Sequence, residues 1–179
     1  WQGIVPGVTT SAEAADILTT LEFIRPDSQW SFGDDLRWRT SASREDPAIV
    51  SEIQSRDGLV SFISIGVDFE LSLQEVLEKY GPPEKLLAYE SGRQERVQIE
   101  IYFYYPQQDL VFVSWASDHV PTSEFFMLDE ATPITLVYYF EPKTIDEWFD
   151  EHFETACRLR FGEEYLQDWQ GLGPIDVLD

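Results

Sequence analysis

Apolar positions in this chain alternate between two spacings. Near the start, Ala14, Ile17, Leu18 and Leu21 recur at helical intervals and predict an amphipathic helix from about Thr10 to Leu21. Gln29–Thr40, QWSFGDDLRWRT, predicts a short hairpin turning at Gly33-Asp34-Asp35, packed through Trp30, Phe32, Leu36 and Trp38. The polar stretch Ser41–Ser55 reads as a loop with a helical turn near Pro47–Ile53, and Gly58–Val67 as a strand. A second helix, ELSLQEVLEKYG, is stopped at Gly81-Pro82-Pro83, because proline cannot continue it. Val97–Tyr105 (VQIEIYFYY) and Leu110–Ala116 (LVFVSWA) predict a long hairpin across a four-residue connection. Ile134–Phe140 is a further strand and Thr144–Leu159 an acidic helix. An apolar tail bearing Phe161, Tyr165, Leu166, Trp169, Leu172 and Ile175 is expected to pack onto the body.

The order of elements nearly repeats. Thr10-Ser11-Ala12-Glu13 and Ser72-Leu73-Gln74-Glu75 are both capping boxes, a hydroxyl followed three positions later by glutamate, and they stand 62 residues apart. Duplication and coincidence both account for two such boxes. The expected fold is α+β: an antiparallel sheet with helices on one face, built from two tandem helix-plus-three-strand units within a single compact domain 1–179. The repeats are expected at 3–67 and 68–140, and 141–179 adds the acidic helix and the tail.

The segment PGVTTSAEA, residues 6–14, raises the question of phosphate binding at a helix start. No lysine precedes Lys79, no strand leads into the segment, and Gly7 stands without further glycines. A phosphate loop needs all of these, so the segment reads as a helix cap. Pro6-Gly7-Val8-Thr9 resembles the Pro-Gly-Met-Thr helix start of the outer-membrane assembly lipoprotein family, with Val8 where methionine is usual. Glu75-Val76 and Gly81-Pro82-Pro83 resemble the Glu-Val helix and Gly-x-Pro stop of the same family. The tandem arrangement is similar to the β-lactamase-inhibitor protein fold, over roughly residues 3–140. The resemblance implies a curved sheet of two helix-plus-sheet units and an extracytoplasmic location. The acidic helix from Thr144 has no counterpart in it.

Charge narrows the partners. With 34 acidic against 12 basic residues, a net of -22, the surface repels nucleic acid and anionic lipid. A basic protein or peptide is the expected partner. No apolar run is long enough to span a bilayer, and the first residue, Trp1, leads us to expect that an upstream segment was removed, whether a signal peptide, a lipoprotein leader or a cloning boundary. Membrane attachment is thus expected only through a removed N-terminal lipid anchor. The single Cys157 excludes an intrachain disulfide.

Candidate chemistry is sparse. Cys157 and His152 are five apart on one predicted helix and point in different directions, and His119 lies in a loop. Two histidines and one cysteine do not form a closed zinc site without carboxylates, and no calcium loop is present. Glu147, Asp150, Glu151 and Glu154 form an acidic ridge that reads as a solvated face. No cofactor, metal or catalytic residue is assigned, and the chain is expected not to be an enzyme.

The aromatic strands offer more. Val97, Ile99, Ile101, Phe103 and Tyr105 alternate as a buried face, opposite Gln98, Glu100, Tyr102 and Tyr104. With helices on one face only, Tyr102, Tyr104, Tyr139 and Trp115 would stand on the other as protein-binding anchors. The alternative is that the C-terminal tail covers them. The leading expectation is a non-catalytic extracytoplasmic binding or scaffold protein, monomeric or weakly dimeric. The competing one is a hydrolase-type enzyme using paired carboxylates on a polar or cationic substrate.

Overall fold

Fourteen short elements carry the backbone of a computed structural model, which describes residues 1–32, 35–40, 50–67, 69–93, 96–116, 125–141 and 165–178. Among these residues the fold is α+β, with two α-helices packed against antiparallel strands. The chain divides into two compact units, one of Trp1–Phe69 with Thr135–Pro142 and one of Glu70–Ile134 with Lys143–Asp179.

The first unit holds α1 (Ser11–Thr20), β1 (Ile24–Phe32), β2 (Asp35–Thr40), β3 (Ser51–Arg56), β4 (Leu59–Gly66) and β9 (Leu136–Phe140), with strand order β1-β2-β3-β4-β9. Strand β3 replaces the expected loop and helical turn at its end. Glu52, Gln54 and Arg56 alternate with Ser51, Ile53 and Ser55, a half-buried strand that polarity disguises. It turns into β4 through Asp57 (φ 53°) and Gly58 (φ 80°), with Arg56 paired to Leu59. Two positive φ values in a two-residue loop suit the twist of a hairpin, which is why Asp-Gly is favoured there. Strand β1 begins earlier than expected, at Ile24, and its register shifts between Ile24 and Gln29. Pro26 in that interval donates no ladder hydrogen bond, so it belongs at such an irregularity.

Helix α1 buries Ala14 and Leu18 against Ile4, Ile24, Trp38, Ile53, Val60 and Ile63. Trp1 stacks on Trp38 with ring centres 5.5 Å apart. The ladder sets Leu36, Ile53, Ile63 and Tyr139 in one row across β2, β3, β4 and β9.

The second unit holds α2 (Leu73–Tyr80), β5 (Lys85–Arg93), β6 (Arg96–Tyr105), β7 (Leu110–Ala116), β8 (Phe125–Leu128), β10 (Gln167–Asp168) and β11 (Gly173–Asp176). Its strands run β7-β6-β5-β10, with a separate ribbon of β8 and β11. A 3-10 turn, Pro106–Gln108, and a left-handed Asp109 make the four-residue connection between β6 and β7. Strands β5, β8, β10 and β11 were not expected from the sequence. The helix predicted over Thr144–Leu159 lies outside the described residues.

Both capping boxes form as the sequence predicts. Several of their free amides are also consumed. Ser11 N–H donates to Gly58 O at 3.0 Å, and Leu73 and Gln74 N–H donate to Thr132 O and Glu130 O at 2.8 and 3.1 Å. A helix start binds anions through unsatisfied amides, and these amides already have acceptors. Hydrogen bonds from Thr10 and Ser72 hold the Glu13 and Glu75 carboxyls below the usual range. That capping contribution is present above the ordinary carboxylate pKa and is lost as pH falls through the lowered value.

Helix α2 stops at Gly81, whose φ of 78° and ψ of -168° only glycine adopts readily. Substituting Gly81→Ala should destabilise the protein by about 1–3 kcal/mol. Urea unfolding of the purified variant checks this, and an unchanged midpoint would show that the turn relaxes freely.

Candidate functional site

Strand β6 lies between β5 and β7, and its alternation sends side chains to two different environments. On one side, Tyr80 of α2 meets Tyr105 and Phe112 at ring distances of 6.0 and 5.2 Å. The Tyr105 hydroxyl donates to Gly81 O at 2.9 Å. This is the helix side of the second unit, and it carries Ile99, Ile101, Phe103 and Tyr105 as expected, all buried.

On the opposite side the register places Tyr89 across from Glu100 and Leu87 across from Tyr102. Trp115 and Val113 continue the same rows on β7. Two phenols converge on one carboxylate oxygen: Tyr89 and Tyr102 each donate to Glu100 Oε2 at 2.9 Å, with their hydroxyl oxygens 3.3 Å apart. The rings are stacked, Tyr89 on Tyr102 at 5.9 Å and Tyr102 on Tyr104 at 6.5 Å. The result is an aromatic ladder in which the hydroxyls of Tyr89 and Tyr102 are tied to a single acid.

This arrangement corrects the expectation of an exposed aromatic face. Tyr102 is 6% and Tyr104 1% exposed, so neither ring is offered to solvent as an anchor. Both strand faces are covered at these positions, and cross-strand stacking uses the rings internally. Trp115 is partly buried, and its indole N–H meets no hydrogen-bond acceptor among the described residues. Tyr139 belongs to the first unit and packs, partly buried, against the cluster that includes Ala14 and Leu18 of α1. It therefore stands on the helix side of its strands, not the side away from the helix. The residues His119, Glu147, Asp150, Glu151, His152, Glu154 and Cys157 lie outside the described residues.

Sequence reasoning missed Tyr89 because it left Lys85–Arg93 unassigned. The signal is present but brief: Leu87 and Tyr89 alternate with Leu86, Ala88 and Glu90, and the strand then runs into Ser91-Gly92. Glu100 lies on the expected side, but one of its two phenolic donors comes from the adjacent strand β5 and the other from i+2 on its own strand, which only the register reveals.

Burial holds the Tyr105 phenol above its ordinary value of 10.0. The folded chain keeps this proton over a range in which the unfolded chain has released it. The associated stability is complete below the ordinary value and is lost as pH rises through the folded one. The urea midpoint should thus fall more steeply above about pH 10 in the native chain than in Tyr105→Phe. Equal slopes in the two proteins would contradict it.

Among the described residues no group of three or more His, Cys, Asp or Glu is close enough to hold a metal ion. Among them, too, no helix is long and apolar enough to cross a membrane. Comparison with family models, with curated proteins and with solved structures gives no match to this chain.

Proposed function

We propose that this chain is a non-catalytic extracytoplasmic binding or scaffold protein whose ligand is a protein or peptide with a basic patch. The observation that carries the reading is the coexistence of a net charge of -22 with large apolar side chains left in solvent. Val8 is 70%, Phe69 67% and Met127 56% exposed. An acidic field draws a cationic partner and orients it, while exposed apolar groups supply contact area once it arrives. The buried tyrosine ladder then serves as a stiff support, and the anchors are sought among the exposed residues. The resemblance of the helix starts to exported lipoproteins supports the extracytoplasmic location.

The finer architecture belongs to the same proposal: two tandem helix-plus-strand repeats, as in the β-lactamase-inhibitor protein fold. Supporting it, each capping hydroxyl residue makes an isolated antiparallel bridge to a later segment of its own unit, Thr10 to Leu59 and Ser72 to Pro133. In each case the first helical amide closes on a carbonyl of that later segment.

Titration calorimetry tests the binding role, using a nine-residue peptide of alternating lysine and leucine at about 0.15 M salt, where distant charges are screened. Saturable binding at fixed stoichiometry is expected, with an aspartate-leucine peptide of the same length silent. Failure of the lysine peptide to bind would remove the reading.

A further inference from the structure

We infer that the outward face of the β8–β11 ribbon is the docking strip for an extended partner segment that alternates apolar and cationic residues. This rests on the binding role proposed above and gives it a place. The antiparallel register pairs Phe125 with Asp176, Phe126 with Ile175, Met127 with Pro174 and Leu128 with Gly173. Alternation therefore sends Phe126, Leu128 and Ile175 to one side and Phe125, Met127 and Pro174 to the other.

Burial agrees with that division. Leu128 is 2% and Ile175 6% exposed, whereas Phe125 is 47% and Met127 56% exposed. Leu172, two residues before Pro174, is 42% exposed. The outer face of a ribbon with one buried side is normally polar. Here it is apolar at Phe125 and Met127 of β8 and at Pro174 of β11, with Leu172 just before that strand, and contiguous exposed apolar surface of this kind marks an interaction site.

The strip is also held in shape. The Gln167 side chain grips Asp176 on both backbone groups, donating to its carbonyl at 2.7 Å and accepting from its N–H at 3.2 Å. Beyond the strip, Leu178 joins the edge of β5, bonding Ala88 O at 3.0 Å and the Glu90 N–H at 2.8 Å. At the other end, Asp129 N–H closes a turn on the Thr132 hydroxyl at 3.1 Å, and the carbonyls of Glu130 and Thr132 cap α2. A surface fixed before binding loses less entropy when a partner arrives.

Charge selects the occupant. Residues 125–134 and 165–178 carry Asp129, Glu130, Asp168 and Asp176 and no lysine, arginine or histidine, and of these acids Asp168 is already paired with Lys85 of β5. Asp176 lies on the strip itself, across from Phe125, and Asp129 and Glu130 are exposed just past Leu128. A second copy of this chain would bring the same acids face to face, and an anionic membrane would be repelled. A cationic segment with apolar residues at every second position satisfies both features: its apolar groups cover Phe125, Met127 and Leu172 while its lysines or arginines reach the acids.

The test compares variants of the full chain against the dye-labelled lysine–leucine peptide by fluorescence anisotropy. The double variant Met127→Ser/Leu172→Ser keeps the charge and alters only exposed side chains, so it should fold normally. Its affinity should drop about tenfold, with a smaller drop for Asp176→Asn and none for Asp16→Asn on the exposed side of α1 in the first unit. If the double variant binds as the native chain does, the strip is not the site, although the binding role stands. Loss of peptide binding in the native chain itself would instead overturn the role. Sedimentation showing a dimer that the double variant dissolves, with peptide affinity unchanged, would assign the strip to self-association and overturn the inference.

Discussion

Substituting Trp38→Ala should cost the first unit about 3–5 kcal/mol, the range for truncating a buried aromatic. Trp38 is fully buried on β2 and is the largest such side chain among the described residues. Its loss opens a cavity bounded by rigid structure: the ladder fixes Ile53 and Ile63, and the capping box fixes the start of the helix that carries Ala14 and Leu18. Trp1 is stacked on the Trp38 ring and Phe23 meets Trp1 edge-on at 6.3 Å, so the truncation also releases two further aromatics. At roughly 2–4 °C per kcal/mol for a chain of this size, the melting midpoint should fall by about 6–20 °C. The near-ultraviolet circular dichroism of the Trp1–Trp38 pair should disappear with it. The indole N–H of Trp38 has no hydrogen-bond acceptor among the described residues, so Trp38→Phe, which keeps most of the volume, should lose only a fraction of the stability. A midpoint within 2 °C of native for Trp38→Ala, well under that span, would show that the site collapses without cost.

Legibility in the sequence followed how locally each feature is determined. Both helices were readable because a capping box and an apolar stripe are contained within a dozen residues, and the stop at Gly81 needs only its neighbours. The β6–β7 hairpin was readable for the same reason: its alternation is long and its connection short. Strand β3 was not, because its polar residues look like a loop until β2 and β4 flank it and use its backbone. Strand β10 is two residues long and exists only where β5 offers an edge. The side of the sheet on which Tyr102 and Tyr104 lie was inferred correctly, but exposure depends on what covers that side, which alternation does not encode. Tyr139 failed differently. Its strand comes late in the chain yet pairs with β4 of the first unit, so register there, and not chain order, determined which side it faces. The ribbon face was invisible for a related reason, since Phe125 and Met127 are separated from Leu172 and Pro174 by more than forty residues.

The second large effect concerns the residue that links the sheet of the second unit to its C-terminal segment. Phe103→Ala should cost about 3–5 kcal/mol. The ring is fully buried on the helix side of β6, between Leu86 on β5 and Phe112 on β7 in the ladder. Trp169 packs edge-on against it at 6.4 Å. Trp169 directly follows β10, which is held to the sheet by only two residue pairs, Gln167 with Leu86 and Asp168 with Lys85. The Lys85–Asp168 ion pair at that edge is largely solvated on its acidic side, so it contributes little. Removing the Phe103 ring therefore takes away the apolar contact that seats Trp169, and the expected damage is uneven. Amide exchange should accelerate across 167–178 at denaturant concentrations where β6 and β7 remain protected. Trp169→Ala should reproduce the faster exchange of that segment with a smaller loss of global stability. Uniform acceleration of β6, β7 and 167–178 in Phe103→Ala would mean that the unit opens as a whole, and that Trp169 is not what retains the segment. If the segment alone opens, the lysine–leucine peptide should also lose affinity for Phe103→Ala, because Gln167 and Leu178, which hold the ribbon in place, detach with it.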